Sequence, residues 1–253
     1  MEILFLGSGT SHGVPMIHCD CDVCTSADPR NRRTRASILV RIDGSNILVD
    51  TPPDFREQML RHRPETIDAI LFTHAHADHI FGLDDVRVFS DRQGHIPCYA
   101  SPAAARTIRR AFEYIFTFPD IGGGVPRIEL HEIDGPFQVC GQRVVPVPIL
   151  HGKAEILGFR FGAFAYLTDC SGIPERSMEL LRDLDVLVLD ALRPRPHPTH
   201  FSLSEAIEAA GRIKARRTLF THITHNLDHE QTNASLPAGM QLAHDGLVLR
   251  PGE

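Results

Sequence analysis

The sequence predicts an α/β sandwich in which strands and helices interleave through two similar halves. Short apolar runs of strand length recur along the 253 residues, and many of them end at a histidine or an aspartate. Segments of helical length stand between these runs, and no clear linker separates them. We therefore expect residues 1–253 to form one domain with two pseudo-equivalent halves.

Four apolar runs in the first half have the length of strands, at residues 2–6, 36–42, 46–49 and 67–73. The third run ends at Asp50, and the turn residues at positions 52–54 open a predicted helix that continues to about Arg61. A second helix is predicted over residues 102–116, because a proline stands near its start and apolar residues recur on one side. The glycines at 122–124 then predict a flexible loop.

Four further strands are predicted in the second half, at residues 144–150, 164–168, 185–189 and 218–221. The next residues along the chain are His151, Asp169, Asp190 and His222. Strands that end in this way bring distant side chains to one rim of a sheet. Residues 202–214 have the pattern of an amphipathic helix, and Ser202 with Glu205 predicts a capping box at its start.

The densest group of metal-binding side chains follows the strand predicted at 67–73 and consists of His74, His76, Asp78 and His79. Three imidazoles and a carboxylate within six residues suit Zn²⁺, Mn²⁺ or iron better than Mg²⁺ or Ca²⁺, which prefer oxygen ligands. A lone histidine is usually an ordinary surface or core residue, but four donors at this spacing predict a metal site. Joined by further ligands, such a group holds two metals about 4 Å apart.

A second candidate site is the cysteine motif formed by Cys19, Cys21 and Cys24 in a loop near residues 15–35. Three thiolates at this spacing can face one Zn²⁺ while a fourth ligand arrives from elsewhere. A redox pair or a coincidence of spacing are the alternatives. The remaining cysteines are scattered and are expected to be small core residues, namely Cys98, Cys140 and Cys170.

Composition narrows the classes of partner and location. A net charge of −6 argues against a broad nucleic-acid surface, and no apolar run reaches membrane-spanning length. The short, acidic start is unlike a signal peptide, so we expect a cytoplasmic location without membrane contact. One local basic patch either guides an anionic substrate or is a solvated loop, and it consists of Arg30, Arg32, Arg33 and Arg35.

The order of ligand types along the whole chain resembles that of the metallo-β-lactamase superfamily, whose αββα sandwich carries a two-metal site between its halves. The matching residues are His74, His76, Asp78, His79, His151, Asp169 and His222. The resemblance implies one divalent metal on His74, His76 and His151, a second on Asp78, His79 and His222, and Asp169 as the bridging ligand. It implies Mn²⁺ or Zn²⁺ as the active-site metals.

The cysteine motif and the segment from Thr221 to His225 resemble one branch of that superfamily. This branch is the phosphodiesterase of the carbon-phosphorus lyase pathway, which hydrolyses phosphoribosyl cyclic phosphate and carries a structural zinc. The resemblance implies a structural Zn²⁺ on Cys19, Cys21, Cys24 and His225. His18 is the rival fourth ligand, although chelation by adjacent residues is sterically awkward.

The segment from Pro196 to Ser202 also resembles that branch, and the resemblance implies that His200 lies near the scissile phosphate. We assign His200 as the general acid, with packing at the start of a helix or exposure at the surface as the alternative. Asp78 is counted as a second catalytic residue. Asp190 either orients His200 or has a structural role at its strand end. His12 lies either near the mouth of the site or in an ordinary loop, and the chain departs from the branch here because a Gly-rich segment is expected.

The expected function is hydrolysis of small cyclic phosphates or phosphodiesters by metal-bound hydroxide, with a histidine that titrates near neutrality protonating the leaving oxygen. The expected partner is a small phosphorylated substrate, and the oligomeric state, including a homodimer, is left open. A tRNA 3′ processing endonuclease is one alternative, but the candidate arm at 116–126 is short and carries no Lys or Arg. A non-hydrolytic protein of cofactor biosynthesis is another, although its ligand set is expected to be degenerate. Thioester or β-lactam hydrolysis also remains open from the ligands alone.

Overall fold

Two seven-stranded sheets pack face to face, and helices cover the outer face of each. The computed structural model describes residues 1–117 and 124–252. Most of the loop expected at 122–124, and most of the candidate arm at 116–126, therefore lie outside the described residues. Within the described ranges, no helix is long and apolar enough to cross a membrane.

The first sheet is mixed and is built mainly from the first half of the chain. Its strands are β1 (Glu2–Gly7), β2 (Ser37–Ile42), β3 (Ser45–Val49), β4 (Ala69–Leu71), β5 (Ile96–Ala100), β6 (Ile128–Glu132) and the edge strand β14 (Val248–Leu249). The spatial order is β14-β1-β2-β3-β4-β5-β6. From β3 to β6 the neighbouring strands are parallel, so their carboxyl ends lie on the same edge.

The second sheet has the corresponding arrangement. Its strands are β7 (Phe137–Val139), β8 (Gln142–His151), β9 (Ala154–Phe161), β10 (Phe164–Leu167), β11 (Val186–Asp190), β12 (Arg217–Thr221) and β13 (Met240–Leu242). The order is β13-β12-β11-β10-β9-β8-β7, with parallel pairs from β10 to β13. The carboxyl ends of β10, β11 and β12 therefore meet at one edge, as the sequence predicted for their terminal polar residues.

The described helices lie between the strands, mostly on the outer faces. They are α1 (Phe55–His62), α2 (Ala77–Ile80), α3 (Arg87–Gln93), α4 (Pro102–Ala111), α5 (Glu113–Thr117), α6 (Glu175–Met178), α7 (Leu203–Ile213) and α8 (His229–Ser235). Short 3₁₀ turns occur at Pro29–Asn31, Leu83–Val86 and Glu179–Leu181. The capping box predicted for α7 is present, because the Ser202 hydroxyl accepts from the Glu205 amide and the Glu205 carboxylate accepts from the Ser202 amide.

Two element predictions need correction. The helix predicted at 102–116 is broken at Phe112, whose φ of −120° and ψ of 41° leave the helical region. The break accompanies packing of the buried Phe112 ring edge-on against Phe81. The strand predicted at 67–73 is shorter, because after β4 the amide of Thr73 bonds to the Asp50 carboxylate instead of a neighbouring strand.

Strand β3 shows how the sequence divides its side chains among the layers. Ile47 and Val49 face the opposite sheet and join a core with Phe159 and Tyr166, whereas Leu48 faces the helices. Alternate side chains of a strand point to opposite faces, so a continuous apolar run serves two cores. An αββα sandwich is therefore the observed fold, as predicted.

Candidate metal centre

Three strand ends turn sharply where they deliver polar side chains. Asp50 after β3, Asp169 after β10 and His222 after β12 have φ values of 64°, 56° and 60°. The left-handed region is unfavourable for residues other than glycine, and it persists where the surrounding structure holds it. All three residues are buried at the rim between the sheets, so the strained backbone lies at the point where side chains from both halves meet.

The first group of donors combines the two halves of the chain and consists of His74, His76, His151 and Asp169. One potential ligand atom from each lies within 4.8 Å of the others. The Nε2 atom of His74 is 3.8 Å from Oδ2 of Asp169. His76 is exposed whereas the other three are buried, so this group opens to solvent on the side of His76.

The second group shares Asp169 and consists of Asp78, His79, Asp169 and His222. The Oδ1 atom of Asp169 lies 3.1 Å from Nε2 of His79 and 3.4 Å from Nε2 of His222. The Oδ2 atom of Asp78 lies 3.5 Å and 3.6 Å from the same two nitrogens. Asp169 thus directs one carboxylate oxygen towards each group. The structure brings together every residue that the sequence predicted as an active-site ligand.

The donor atoms in these groups fit divalent cations. Within the described part of the chain, the Nε2 atoms of His74, His79 and His222 are buried and none of them makes a hydrogen bond of suitable geometry, although carboxylate oxygens of Asp169 lie 3.1–3.8 Å away. Buried polar atoms are nearly always satisfied, so three orphaned nitrogens at one point call for an absent partner. Imidazole nitrogens and carboxylates are ligands for Zn²⁺, Mn²⁺ and iron, and the groups therefore fit the predicted metals.

In the second group, electrostatics favour the charged forms of Asp169 and His79. Burial alone would raise the pKa of Asp169, but the neighbouring rings of His222 and His79 lower it well below its usual value. Burial alone would lower the pKa of His79, but the carboxylates of Asp169 and Asp50 raise it well above its usual value. Ionised carboxylates therefore surround the imidazole of His79. A metal cation and a proton compete for the buried Nε2 atom of that ring.

Several neighbouring groups orient the imidazoles. The Nδ1 atom of His151 lies 2.8 Å from the carbonyl oxygen of Thr199, which can only accept, so Nδ1 carries the proton and Nε2 keeps its lone pair. The Nδ1 atom of His79 lies 2.8 Å from Oδ2 of Asp50. Asp50 also accepts from the amide and hydroxyl of Thr73 at 2.9 and 2.8 Å. The sequence indicates Asp50 only as the residue that ends a strand, and an aspartate at a strand end is the signal for this orienting role.

We expect Asp50→Asn to weaken metal binding without abolishing it. The carboxamide keeps the shape of the side chain but removes the charge that orients His79. Loss of such a partner typically costs 10–100-fold in metal affinity, so we expect a decrease of about that size. Competition with a chromogenic chelator measures it. Asp91→Asn, on the exposed side of α3, is the matched control. Equal affinities in the two variants would contradict the orienting role.

His200 lies beside both groups. Its Nδ1 atom is 2.9 Å from Oδ2 of the fully buried Asp190, and its ring stacks on that of His222 with centroids 4.7 Å apart. Burial and the nearby His222 charge lower the pKa of His200 to about 4, below the near-neutral value expected from the sequence. Burial also raises the pKa of Asp190 well above its usual value. The surroundings thus favour the uncharged forms of both partners.

The cysteine motif meets the carboxyl-terminal part of the chain. The Nδ1 atom of His225 lies 3.1 Å from Sγ of Cys19 and 3.5 Å from the Sγ atoms of Cys21 and Cys24. His18 is exposed and is not a member of this group among the described residues. Three sulfurs and one imidazole nitrogen are a common donor set for tetrahedral zinc, so the group fits that ion.

Backbone contacts join this cysteine group to the active-site rim. Gly9 forms a bridge with Ile223, between the two histidines His222 and His225. The buried guanidinium of Arg33 donates to the carbonyl oxygens of Thr224 and Leu227, on either side of His225. Residues 222–225 are therefore held from two directions, and only two residues separate His222 in the active-site rim from His225 in the cysteine group.

Other predicted candidates have different surroundings. The exposed ring of His12 lies with its centroid 5.8 Å from that of His225, beside the cysteine group. In the arginine patch, Arg30 pairs with Asp28 and Arg35 pairs with Asp54, while Arg33 is buried. The patch is thus largely engaged in internal contacts, with Arg32 exposed.

Comparison with known proteins places the chain in a family. Residues 45–223 match the family model described as the beta-lactamase superfamily domain. The chain belongs to this superfamily. Within it, the chain is 50% identical to a crystal structure described as a new diphosphatase from the PhnP family, with a TM-score of 0.93 and coverage of 98% and 97% of the two chains. This is therefore a PhnP-like protein of the metallo-β-lactamase fold and a metal-dependent hydrolase.

Other relatives of this PhnP-like chain have different names. It is 38% identical to an octanoyltransferase of Porphyromonas gingivalis over 98% of its own length, but it spans only about half of that relative, 51%. It is 25% identical to coenzyme PQQ synthesis protein B of Methylobacterium nodulans, covering 99% of the chain and 100% of the relative. Human tRNase Z, short form, is 20% identical with a TM-score of 0.74 over the full length of both chains, 100% each, which shows the shared fold alone.

Proposed function

We propose that this chain is a binuclear metal-dependent phosphodiesterase that acts on small cyclic phosphates and other small phosphodiesters. The observation that carries the proposal is the convergence of seven donor side chains on two adjoining groups that share Asp169. The 50% identical PhnP-family structure is described as a diphosphatase, which supports chemistry at phosphorus. Within this substrate class, the resemblance described under Sequence analysis makes phosphoribosyl 1,2-cyclic phosphate a specific candidate substrate.

The ligands divide by their geometry. His74, His76 and His151 would hold one divalent cation, Asp78, His79 and His222 the other, and Asp169 both. Two bound cations, Mn²⁺ or Zn²⁺, supply Lewis-acid polarisation of the phosphoryl oxygens and lower the pKa of a water molecule. The protein contributes by holding Nε2 atoms with free lone pairs at fixed positions, through Asp50 and the Thr199 carbonyl oxygen.

We propose His200 as the proton donor to the leaving oxygen. With Asp190 and His200 both uncharged, the carboxylic acid donates to Nδ1 and the ring carries its proton on Nε2. When Nε2 gives up its proton, the proton of Asp190 can follow to Nδ1, which leaves a neutral imidazole and places the negative charge on the Asp190 carboxylate. That carboxylate then accepts from Nδ1 of His200 and from the amide of Cys170, both 2.9 Å from Oδ2. The proximity of His200 to His151 and His222 supports this role, with ring centroids 4.8 and 4.7 Å away.

A metal-reconstituted substrate panel tests the proposal. Protein loaded with Mn²⁺ or Zn²⁺ is assayed with bis(4-nitrophenyl) phosphate, cyclic phosphates, precursor tRNA and an octanoyl thioester. We expect turnover of the first two classes. Hydrolysis of the thioester alone would reject the proposal, and it would favour chemistry related to the octanoyltransferase of which this chain spans about half, 51%. Cleavage of tRNA alone would favour the endonuclease.

We also propose that Cys19, Cys21, Cys24 and His225 bind a structural Zn²⁺. Convergence of three sulfur atoms on one imidazole nitrogen supports this assignment. The cation would link the loop that carries the cysteines to the segment that carries His222. Its role is therefore to stabilise the rim of the active site.

Cys24→Ser should remove the structural ion. We expect one zinc fewer per chain by elemental analysis. The melting temperature should fall by roughly 6–12 °C, because the loss of about 3 kcal/mol has that effect in a chain of this size. Cys140→Ser is the matched control, since Cys140 lies outside the cysteine group. Unchanged zinc content in Cys24→Ser would contradict the assignment.

A further inference from the structure

The position of His200 determines the side of the site on which the sugar of a substrate lies. In the proposed reaction His200 protonates the leaving oxygen, and in a cyclic phosphate of a sugar that oxygen stays attached to the sugar. The sugar therefore lies against His200, and its remaining substituents extend away from the two groups of metal-binding side chains.

One further imidazole lies beside His200. The ring centroid of His197 is 5.2 Å from that of His200, whose ring in turn lies 4.8 Å from His151 and 4.7 Å from His222. Among the described ring contacts, His197 contacts His200 alone, so it lies one ring further from the donor groups. A substituent across the sugar from the scissile phosphate therefore comes close to His197.

The tautomer of His197 makes its ring a hydrogen-bond donor to a ligand. Its Nδ1 atom lies 3.4 Å from the amide nitrogen of Thr199 and 3.2 Å from the Thr199 hydroxyl oxygen. A backbone amide can only donate, so Nδ1 accepts and the uncharged ring carries its proton on Nε2. Burial and the nearby His200 and Arg193 groups lower the pKa of His197, which favours this uncharged form. The Nε2–H group is therefore available to an acceptor.

Arg193 supplies a permanent positive charge beside this ring. Its Nε donates to the carbonyl oxygen of Arg195 at 3.2 Å, and its Nη2 donates to that of Pro196 at 3.1 Å. A guanidinium group has five N–H donors, so those of Nη1 remain for a ligand. Within residues 1–117 and 124–252, neither Arg193 nor Arg195 pairs with a carboxylate. The loop therefore carries two positive charges without an acidic partner, and arginine is well suited to binding phosphate.

Prolines restrict the shape of this loop. Arg193, Arg195 and His197 each precede a proline, which favours extended conformations for all three. The carbonyl oxygen of Arg193 also accepts from the amide of Leu203 at the start of α7, at 2.9 Å. A loop that is ordered in advance loses little conformational entropy when it binds a ligand.

We propose that Arg193 and His197 form a subsite for a second phosphate of the substrate, with Arg195 adding positive charge, so that the enzyme prefers cyclic phosphates of sugars that carry a further phosphate. This inference rests on the proposed phosphodiesterase function and assigns recognition of its candidate substrate to one loop. The second phosphate accepts from Nη1 of Arg193 and from Nε2 of His197, and the charge-assisted bond to the guanidinium is the stronger of the two.

The test compares phosphoribosyl 1,2-cyclic phosphate with ribose 1,2-cyclic phosphate, which lacks only the second phosphate. We expect the metal-loaded wild type to show a kcat/KM about tenfold higher, or more, for the phosphorylated ester. Arg193→Met should reduce this ratio about tenfold, because it removes the charged donor and keeps a side chain of similar length. His197→Phe keeps a ring and should reduce the ratio about threefold. Arg143→Met is the control, since Arg143 is exposed at the opposite end of β8 from His151.

The ratio separates recognition of the second phosphate from a general disturbance of the loop. A variant that only displaces His200 would slow both esters equally, and an unchanged ratio in Arg193→Met and His197→Phe would overturn the assignment. A wild type that prefers the neutral ester or does not discriminate would also overturn it, as would an equal change of the ratio in Arg143→Met.

Binding measurements distinguish failure of the subsite from failure of the proposed function. If neither ester is hydrolysed, the proposed function fails, and calorimetric affinities of the two esters for metal-loaded protein then decide the subsite. Tighter binding of the phosphorylated ester that is lost in Arg193→Met supports the subsite. Equal affinities of the two esters for the wild type overturn it.

Discussion

Asp169→Asn is expected to lower kcat/KM for a phosphodiester by about 10³-fold or more. Asp169 contributes one oxygen near each donor group, with Oδ1 3.1 Å from Nε2 of His79 and Oδ2 3.8 Å from Nε2 of His74. Its replacement by a neutral amide removes the charge common to both groups. Metal ions supply several kcal/mol of transition-state stabilisation, and a loss of about 4 kcal/mol corresponds to that factor.

Asparagine is chosen so that the substitution removes the charge without also disturbing the fold. Asparagine tolerates the left-handed φ of 56° at this position, whereas alanine would add backbone strain. We expect metal content per chain to fall at the active site while the cysteine-bound ion is retained. Circular dichroism checks the fold, and Asp91→Asn serves again as the exposed control. An Asp169→Asn protein with full activity and full metal content would contradict the shared-ligand arrangement.

His200→Ala is expected to lower kcat by about 10²–10⁴-fold while both active-site metals are retained. General acid catalysis by a positioned side chain is typically worth that factor. His200 contacts Asp190 through Nδ1, and its ring lies against His222, but the predicted ligand set does not require it. Steady-state kinetics with bis(4-nitrophenyl) phosphate and elemental analysis of the same sample measure the two quantities.

Two outcomes would change the role assigned to His200. An unchanged rate would remove His200 from the mechanism. A loss of metal together with activity would make His200 a metal ligand, because potential ligand atoms of Asp190, His200 and His222 also lie within 4.8 Å of one another. His95→Ala is the matched control, because His95 is exposed and lies at the start of a strand away from the donor groups.

The ligand set could be predicted from sequence because short spacing and strand ends carry most of its information. His74, His76, Asp78 and His79 are confined to one turn after β4, so local geometry alone limits where they point. His151, Asp169 and His222 end or directly follow strands of one sheet, and parallel or like-directed strands place such residues on a common edge. The αββα layers could be predicted because predicted strands and helices alternate along both halves of the chain.

Contacts between distant parts of the chain were harder to predict. The pairing of Asp50 with His79 spans 29 residues, and no local pattern specifies it. Strand β9 was missed although it pairs with β8 along its whole length, because the prediction ended at His151. Gly152, with a φ of 61° in the turn that follows, was the available signal for a hairpin. The low pKa of His200 depends on burial by several elements, which the sequence does not display.

The left-handed conformations of Asp50, Asp169 and His222 set a limit on protein engineering. Glycine occupies that region without steric cost, so its introduction at these three positions would relieve the local backbone strain. Each such gain would delete a carboxylate or an imidazole from the rim between the sheets. Relief of backbone strain and catalytic turnover therefore place opposite demands on the same three residues. A stabilised variant should carry its substitutions elsewhere in the sandwich.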